Sequence, residues 1–234
     1  EMDESINTDP ARRDISVVEM RDFFATVTHP LDEAVIGTLL KTGMRAGELC
    51  NLDMRDLKLT AAPVDIDHRA TLDGRGDAVY VDSAPSMGEA YNGQERTASN
   101  KRKRATTVPV DKELGYLLCR WLAVRPDARS MADPLFLSTM DGWGKRLTPD
   151  MVHHLVESQA RGAGWYRVGG GPEENVTPHY FRHFFTTHLR GRTGDRGIVK
   201  YLRGDVAKDV IDTYTHDWGN RVRDVYIENI YSLL

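Results

Sequence analysis

The sequence predicts an α+β fold, mostly α-helical with one small antiparallel β-sheet, and three observations carry that prediction. Apolar residues recur at helical spacing in two stretches, up to about residue 56 and from about residue 111 onward. Between them, residues 57–110 alternate apolar and polar side chains among turn residues, the pattern of short strands. Helix starts are marked three times by a cap residue and its usual companion: Ser16 with Glu19, Thr148 with Pro149, and Thr177 with Pro178.

In chain order, Ser16 and Glu19 form a capping box for a helix near Val17 to Val27. "THPLDEAVIGTLLKTG" predicts a second helix, with Pro30 near its start, Asp32 and Glu33 in its first turn and Gly43 to stop it. "AGELCNLDMRDL" resumes the helical pattern, which leaves Arg45 in a tight connection between two helices. "LKLTAAPVDID", "DAVYVDS" and "TTVPV" are expected as antiparallel strands, and "SAPSMGEAYNGQERTASN" as a long mobile loop with Lys101 at its base. "DKELGYLLCRWLAV" places Leu114, Leu117, Leu118, Trp121 and Leu122 on one helix face. "PLFLS" is expected to be a short extended piece, followed by helices opening at Pro149 and Pro178. Short helices separated by Gly194, Gly204 and "DTYTHDW" then lead to an amphipathic tail from about Asn220 to Leu234.

At 234 residues and 40% hydrophobic, the chain can bury a substantial core. One domain over residues 15–234 is expected, preceded by a linker over residues 1–14. No apolar run approaches the roughly 20 residues that span a bilayer, and the polar, acidic start lacks a signal-peptide core. A soluble, cytoplasmic protein without membrane contact is the expectation. Cys50 and Cys119 are far apart, without a CxxC pairing, and read as core residues. His153 and His154 are adjacent, so on a helix they point apart; no metal and no cofactor is expected. The net charge of −4 argues weakly against nucleic acid, yet residues 96–104 carry Arg96, Lys101, Arg102, Lys103 and Arg104 with no acid. Arginine outnumbers lysine and aspartate outnumbers glutamate, a composition that would suit a high-salt cytoplasm.

The stretch His179 to Leu189, "HYFRHFFTTHL", mixes aromatics with an arginine and histidines. An amphipathic helix with a solvated polar face explains that mixture; so does a phosphate site, because His179 and Arg182 are three apart and share a helix face. Arg45 in its turn, Glu48 one helical turn on, and Lys101 on a hairpin would complete such a site, since planar guanidinium forks bind phosphate oxygens in pairs.

Four segments then carry a family resemblance: "TGMRAGEL", "KRKRATTVP", "HYFRHFFTTHL" and "YLRGDVAKDVIDTYTH". In order and spacing they resemble the catalytic domain of the tyrosine recombinase (phage integrase) family, over nearly the whole chain from about Ile15. The resemblance implies a site-specific recombinase or integrase that breaks and rejoins double-stranded DNA through a 3′-phosphotyrosyl intermediate, as a homotetramer on paired sites. It implies Arg45 and Arg182 as the phosphate-holding arginines, Glu48 as their support, and Lys101 (or its neighbour Lys103) as the proton donor to the departing 5′-oxygen. His179 is then the proton acceptor and phosphate ligand, and Tyr214 the nucleophile. Arg102, Lys103 and Arg104 are expected to contact DNA.

One position departs from the family: Asp205 stands where histidine or tryptophan is usual, a variant resembling archaeal integrases. A carboxylate would repel phosphate, so Asp205 is expected either to accept hydrogen bonds from a site arginine, to orient the tyrosine, or simply to cap a helix beside Gly204. Tyr180, Tyr201, Tyr226 and Tyr231 are expected to pack. The tail is expected to dock on its own domain or on a neighbouring subunit. The family's separate N-terminal helical domain is not expected in this chain, which reads as a catalytic fragment or an unusually short member. Rival readings are a type IB topoisomerase-like enzyme that only relaxes DNA, and a non-catalytic DNA-binding protein on the same fold.

Overall fold

A computed structural model of the protein describes residues 13–205 and 218–234. The helices are α1 (Val17–Phe24), α2 (Pro30–Thr42), α3 (Ala46–Cys50), α4 (Lys112–Val124), α5 (Pro149–Gly162), α6 (Pro178–Thr193), α7 (Arg196–Leu202) and α8 (Trp218–Asn229). The strands are β1 (Leu57–Lys58), β2 (Ala78–Val81), β3 (Ala90–Tyr91), β4 (Gln94–Glu95) and β5 (Thr106–Pro109). The fold is therefore α+β and mainly helical, with an antiparallel sheet in the order β1-β2-β5 and a separate β3-β4 hairpin.

Helix α2 is the axis of the core. Nearly every residue from Leu31 to Thr42 is buried, because α4, α6 and α5 all pack on it. Its N-terminus has Pro30 in the first turn, where a missing N–H costs nothing. Its C-terminus stops at Gly43, whose left-handed φ of 61° suits glycine. A Cβ on Gly43 would lie 2.3 Å from a ring carbon of Phe185, so close packing of α6 demands glycine there as well. In the sheet, Val79 pairs with Leu57 on one side and Val108 on the other, and β5 rests against α7 and α8.

The middle of the chain is less strand-rich than its alternation predicts. "LKLTAAPVDID" supplies only Leu57–Lys58 to the sheet; residues 59–77 run as turns, with a single 3₁₀ turn at Ala70–Leu72. Pro63 and the closely spaced Asp65 and Asp67 offer no continuous ladder, and Lys58 Nζ instead caps the Leu72 carbonyl at 3.0 Å. The expected mobile loop is cross-tied: Asn92 and Gly93, at φ 52° and 75°, close the β3-β4 hairpin. Beyond it, Asn51 donates to the Ala98 carbonyl and to Asn100, and Asn100 donates to the Asp82 carbonyl. "PLFLS" forms only isolated bridges, Asp53 to Pro134 and Leu137 to Arg146.

The ends are docked where they are described. Tyr180 donates its hydroxyl proton to the Arg13 carbonyl, and Ile15 is buried, so packing begins inside the expected linker. At the other end Tyr226 and Tyr231 are fully buried, their hydroxyls donating to the carbonyls of Lys41 and Leu40. Lys41 is also buried and returns the contact, donating to the Tyr231 carbonyl at 2.5 Å and to Asp111 and Glu113 at 2.7 and 2.8 Å. The tail thus docks on its own domain. Tyr201 and Tyr180 are buried as expected, whereas Cys119 is only half-buried.

Candidate active site

Arg45 is the N-cap residue of α3, held between the left-handed stop of α2 and the first turn of α3. Its backbone N–H donates to Glu48 Oε2 at 2.9 Å, and its Nη1 donates to Glu48 Oε1 and to the Lys101 carbonyl, both at 3.0 Å. Glu48 has no solvent exposure, so this carboxylate fixes one edge of the guanidinium while the Arg45 side chain stays 32% exposed.

Arg182 comes from α6, whose Tyr180, Phe181, Phe184, Phe185 and Leu189 face the core. His179, one turn earlier, is exposed. The mixed composition of this helix therefore has a directional meaning: the aromatics bury, and His179 and Arg182 line one cavity of about 300 Å³ with Arg45, Ala46, Asp150 and His153. Arg182 itself is buried, donating from Nη1 to the Gly43 carbonyl at 2.6 Å and from Nη2 to the Arg203 carbonyl at 3.1 Å and to Asp205 Oδ1 at 2.8 Å. Burial, then the neighbouring Arg203 and Arg45 cations, pull its guanidinium down to about 10, with Asp205 and Glu48 acting in the opposite sense. A cation held this way gains from an arriving anion.

Asp205 lies among these arginines. Its Oδ1 accepts from Arg182 and, at 3.4 Å, from Arg45 Nη2; Arg203 Nε forms an ion pair with Oδ2 at 3.0 Å. Its backbone N–H also closes the end of α7 on the Lys200 carbonyl. Lys101 is exposed beside Arg45, and Lys103 is exposed with its backbone N–H on the Gly204 carbonyl at 3.0 Å. Arg102 differs from expectation. It is buried, spending Nη2 on Glu48 at 3.3 Å and Nη1 on the Leu202 carbonyl at 3.1 Å, so it offers nothing to DNA. Arg104 is half-buried, with its guanidinium 5.3 Å from the Tyr201 ring centre. Tyr214 lies outside the described residues.

Arg45, Glu48, His179, Arg182, Asp205 and the backbone at Lys101 are therefore in one place. Sequence reasoning missed Arg203, whose signal is its position next to Gly204 and Asp205, and it weighed His153 only as a metal ligand. Among the described residues no group of three or more His, Cys, Asp or Glu is placed to hold a metal ion. A larger cavity, about 700 Å³, lies between α8 and the start of α4, but its Lys41 is already paired with two carboxylates. The smaller one is walled by Arg45 and Arg182, whose guanidinium groups carry the positive charge at its edge. Preorganised guanidinium donors there can stabilise charge that builds on a bound phosphoryl group.

The pattern of the phage integrase family matches residues 17–221. Tyrosine recombinase XerC of Ralstonia pickettii (strain 12J) is 31% identical over 190 residues, covering 79% of this chain and 48% of its own length. Tyrosine recombinase XerS of Streptococcus pneumoniae (strain Hungary19A-6) is 28% identical over 185 residues, covering 79% and 41%. The chain spans about half the length of the relatives it matches. Among solved structures, XerH site-specific recombinase bound to a palindromic difH substrate superposes with a TM-score of 0.58 at 19% identity, covering 95% of this chain and 54% of that one. The Tn1549 transposon integrase in complex with circular intermediate DNA gives 0.62 at 19%, covering 90% and 64%. No described helix is long and apolar enough to cross a membrane.

Proposed function

This chain belongs to the phage integrase family, and on that premise we propose that it is the catalytic unit, residues 15–234, of a tyrosine site-specific recombinase acting on double-stranded DNA. The observation that carries the proposal is the convergence of Arg45 and Arg182, from distant parts of the chain, on one cavity that His179 also lines and beside which Lys101 is tied. In the cleavage step the Tyr214 oxygen forms a bond to phosphorus and the bond to the 5′-oxygen breaks. The phenolic proton passes to His179, and Lys101 protonates the departing 5′-oxygen. A phenol has a pKa of about 10, so it needs such help at neutral pH. Arg45 and Arg182 hold the nonbridging oxygens and take up the charge of the transition state. Asp205 acts on the arginines rather than on the phosphate, Glu48 fixes Arg45, and Lys103 extends the cationic surface along the strand. Attack by a second strand's 5′-hydroxyl reverses the step and completes exchange, with a homotetramer on paired sites in the cytoplasm bringing the strands together.

The test uses a duplex nicked next to the cleavage position, so that the released fragment diffuses away and the covalent adduct accumulates. Wild type is expected to give a protein–DNA adduct on a denaturing gel and Tyr214→Phe none. An adduct from both would remove Tyr214 from its role. Relaxation of supercoiled plasmid without recombinant junctions would favour the topoisomerase-like reading, and tight DNA binding without any adduct the non-catalytic one.

A further inference from the structure

Lys101 sits in a segment whose neighbouring side chain turns inward. Arg102 is almost completely buried, yet among the described residues its Nε has no hydrogen-bond partner. Its guanidinium joins two elements: Nη2 reaches Glu48, in the first turn of α3, and Nη1 reaches the Leu202 carbonyl at the end of α7. Its stem lies over Gly204. A Cβ there would come within 2.6 Å of Arg102 Cγ, and Gly204 holds a φ of 71°, so both backbone angle and space require glycine under the arginine. On either side of Arg102 the backbone is tied as well, by Arg45 to the Lys101 carbonyl and by the Lys103 N–H to the Gly204 carbonyl. Since Arg45 and Arg102 share Glu48, these contacts close a ring from Lys101 through Arg45, Glu48 and Arg102 to the turn at 202–204.

Burying a guanidinium is costly: burial is the main cause that lowers the Arg102 pKa, with Glu48 opposing it. A shorter apolar residue would fill the space over Gly204 without that cost, so packing alone does not account for an arginine. What the fork adds is register. It fixes the backbone at position 102 against two elements and thereby sets where the Lys101 side chain leaves the loop.

We propose that Arg102 is a positioning residue of the cleavage step, clamping the Lys101 segment to α3 and to the turn after α7 so that the Lys101 ammonium meets the leaving 5′-oxygen. This rests on the recombinase reading above. A misplacement of about 1 Å costs on the order of a hundredfold in such a transfer, and loss of a general acid costs about 10²- to 10⁴-fold.

The experiment replaces the 5′-bridging oxygen at the cleavage position by sulfur. A thiolate is a far better leaving group than an alkoxide, with a thiol pKa near 8.5, and it departs without a donated proton. Arg102→Met, which keeps an apolar stem over Gly204, is expected to slow adduct formation on ordinary DNA by about tenfold to a hundredfold. On the sulfur-substituted duplex it is expected to return to within about threefold of wild type, with DNA affinity unchanged on both. Lys101→Ala should behave in the same way, and Arg102→Lys, which keeps the charge beside Glu48 but lacks the fork, should fall between. Equal loss on both substrates, or no loss on either, overturns the proposal. If Arg102→Met fails to fold, as judged by its melting, Arg102→Lys carries the same two-substrate comparison. Failure of the recombinase reading has a different signature: Tyr214→Phe would then form the same adduct as wild type, or wild type would form none on either duplex.

Discussion

Two clusters of arginine and carboxylate, one buried and one bordering a cavity, do different work. Around Asp53, which is fully buried, Arg96 makes a two-pronged contact at 3.2 and 2.8 Å and Arg146 a third at 2.6 Å. Arg146 spends its remaining donors on the carbonyls of Cys50 and Leu52 and on Gln94, and Asn92 closes the far side of the carboxylate. This cluster is sealed, and it stitches the β3-β4 hairpin to the body. Around Asp205 the same residue types are arranged differently. Backbone carbonyls and Glu48 fix Arg182 and Arg45, Asp205 is itself 27% exposed, and both arginines border an open cavity. Guanidinium groups sealed around a buried carboxylate hold structure; those anchored from behind and left facing a cavity can hold a substrate.

The sharpest way to break this contrast is to remove the sealed carboxylate. Asp53→Ala strands two buried arginines, and losing one partner of a buried ion pair costs about 3–5 kcal/mol. Urea unfolding should show the midpoint falling accordingly, with the hairpin among the regions that lose amide protection. A loss under about 1 kcal/mol would mean that Asp53 is not the keystone the geometry makes it. Arg182→Lys tests the other cluster. Lysine keeps a charge but cannot reach the Gly43 and Arg203 carbonyls and Asp205 together. Cleavage is expected to fall by about 10²- to 10³-fold, the scale of losing one preorganised donor to a charged transition state. Its melting temperature should move far less than that of Asp53→Ala, and a comparable unfolding in both would collapse the distinction.

The parts of the open cluster were legible because several sit in strong local signals, and the resemblance to the integrase family joined them into one site. Gly43 ends a helix and so places Arg45 in a turn; Thr177-Pro178 starts a helix and so puts His179 and Arg182 on one face. The sealed cluster was not legible, because Asp53, Arg96 and Arg146 are joined only by the tertiary fold and each reads alone as a surface charge. Arg102 failed for the same reason: in "KRKR" nothing local distinguishes an inward side chain from its outward neighbours, and the space over Gly204 that receives it belongs to another element. The β3-β4 hairpin did have a local signal, Asn92-Gly93, which was outweighed by the polar composition around it.

The finest test of the contrast is Asp205→Asn, which keeps an oxygen for Arg182 and Arg45 and deletes one charge. At Asp53 the charge is glue; at Asp205 it sets the potential of the cavity. A unit charge about 4 Å away in a watery cleft is worth about 1 kcal/mol. Removing it should therefore tighten DNA binding by roughly fivefold at low salt, because the phosphate no longer meets a neighbouring carboxylate. The gain should fade toward 1 M salt, where the screening length shrinks to about 3 Å. Stability should fall by no more than about 1 kcal/mol, as for other part-exposed ion pairs. Fluorescence anisotropy with a labelled duplex across a salt series would read the first two effects, and thermal melting the third. If binding weakens instead, the carboxylate's main effect is to hold the two guanidinium planes in the geometry that a phosphate needs, and its charge matters less than its grip.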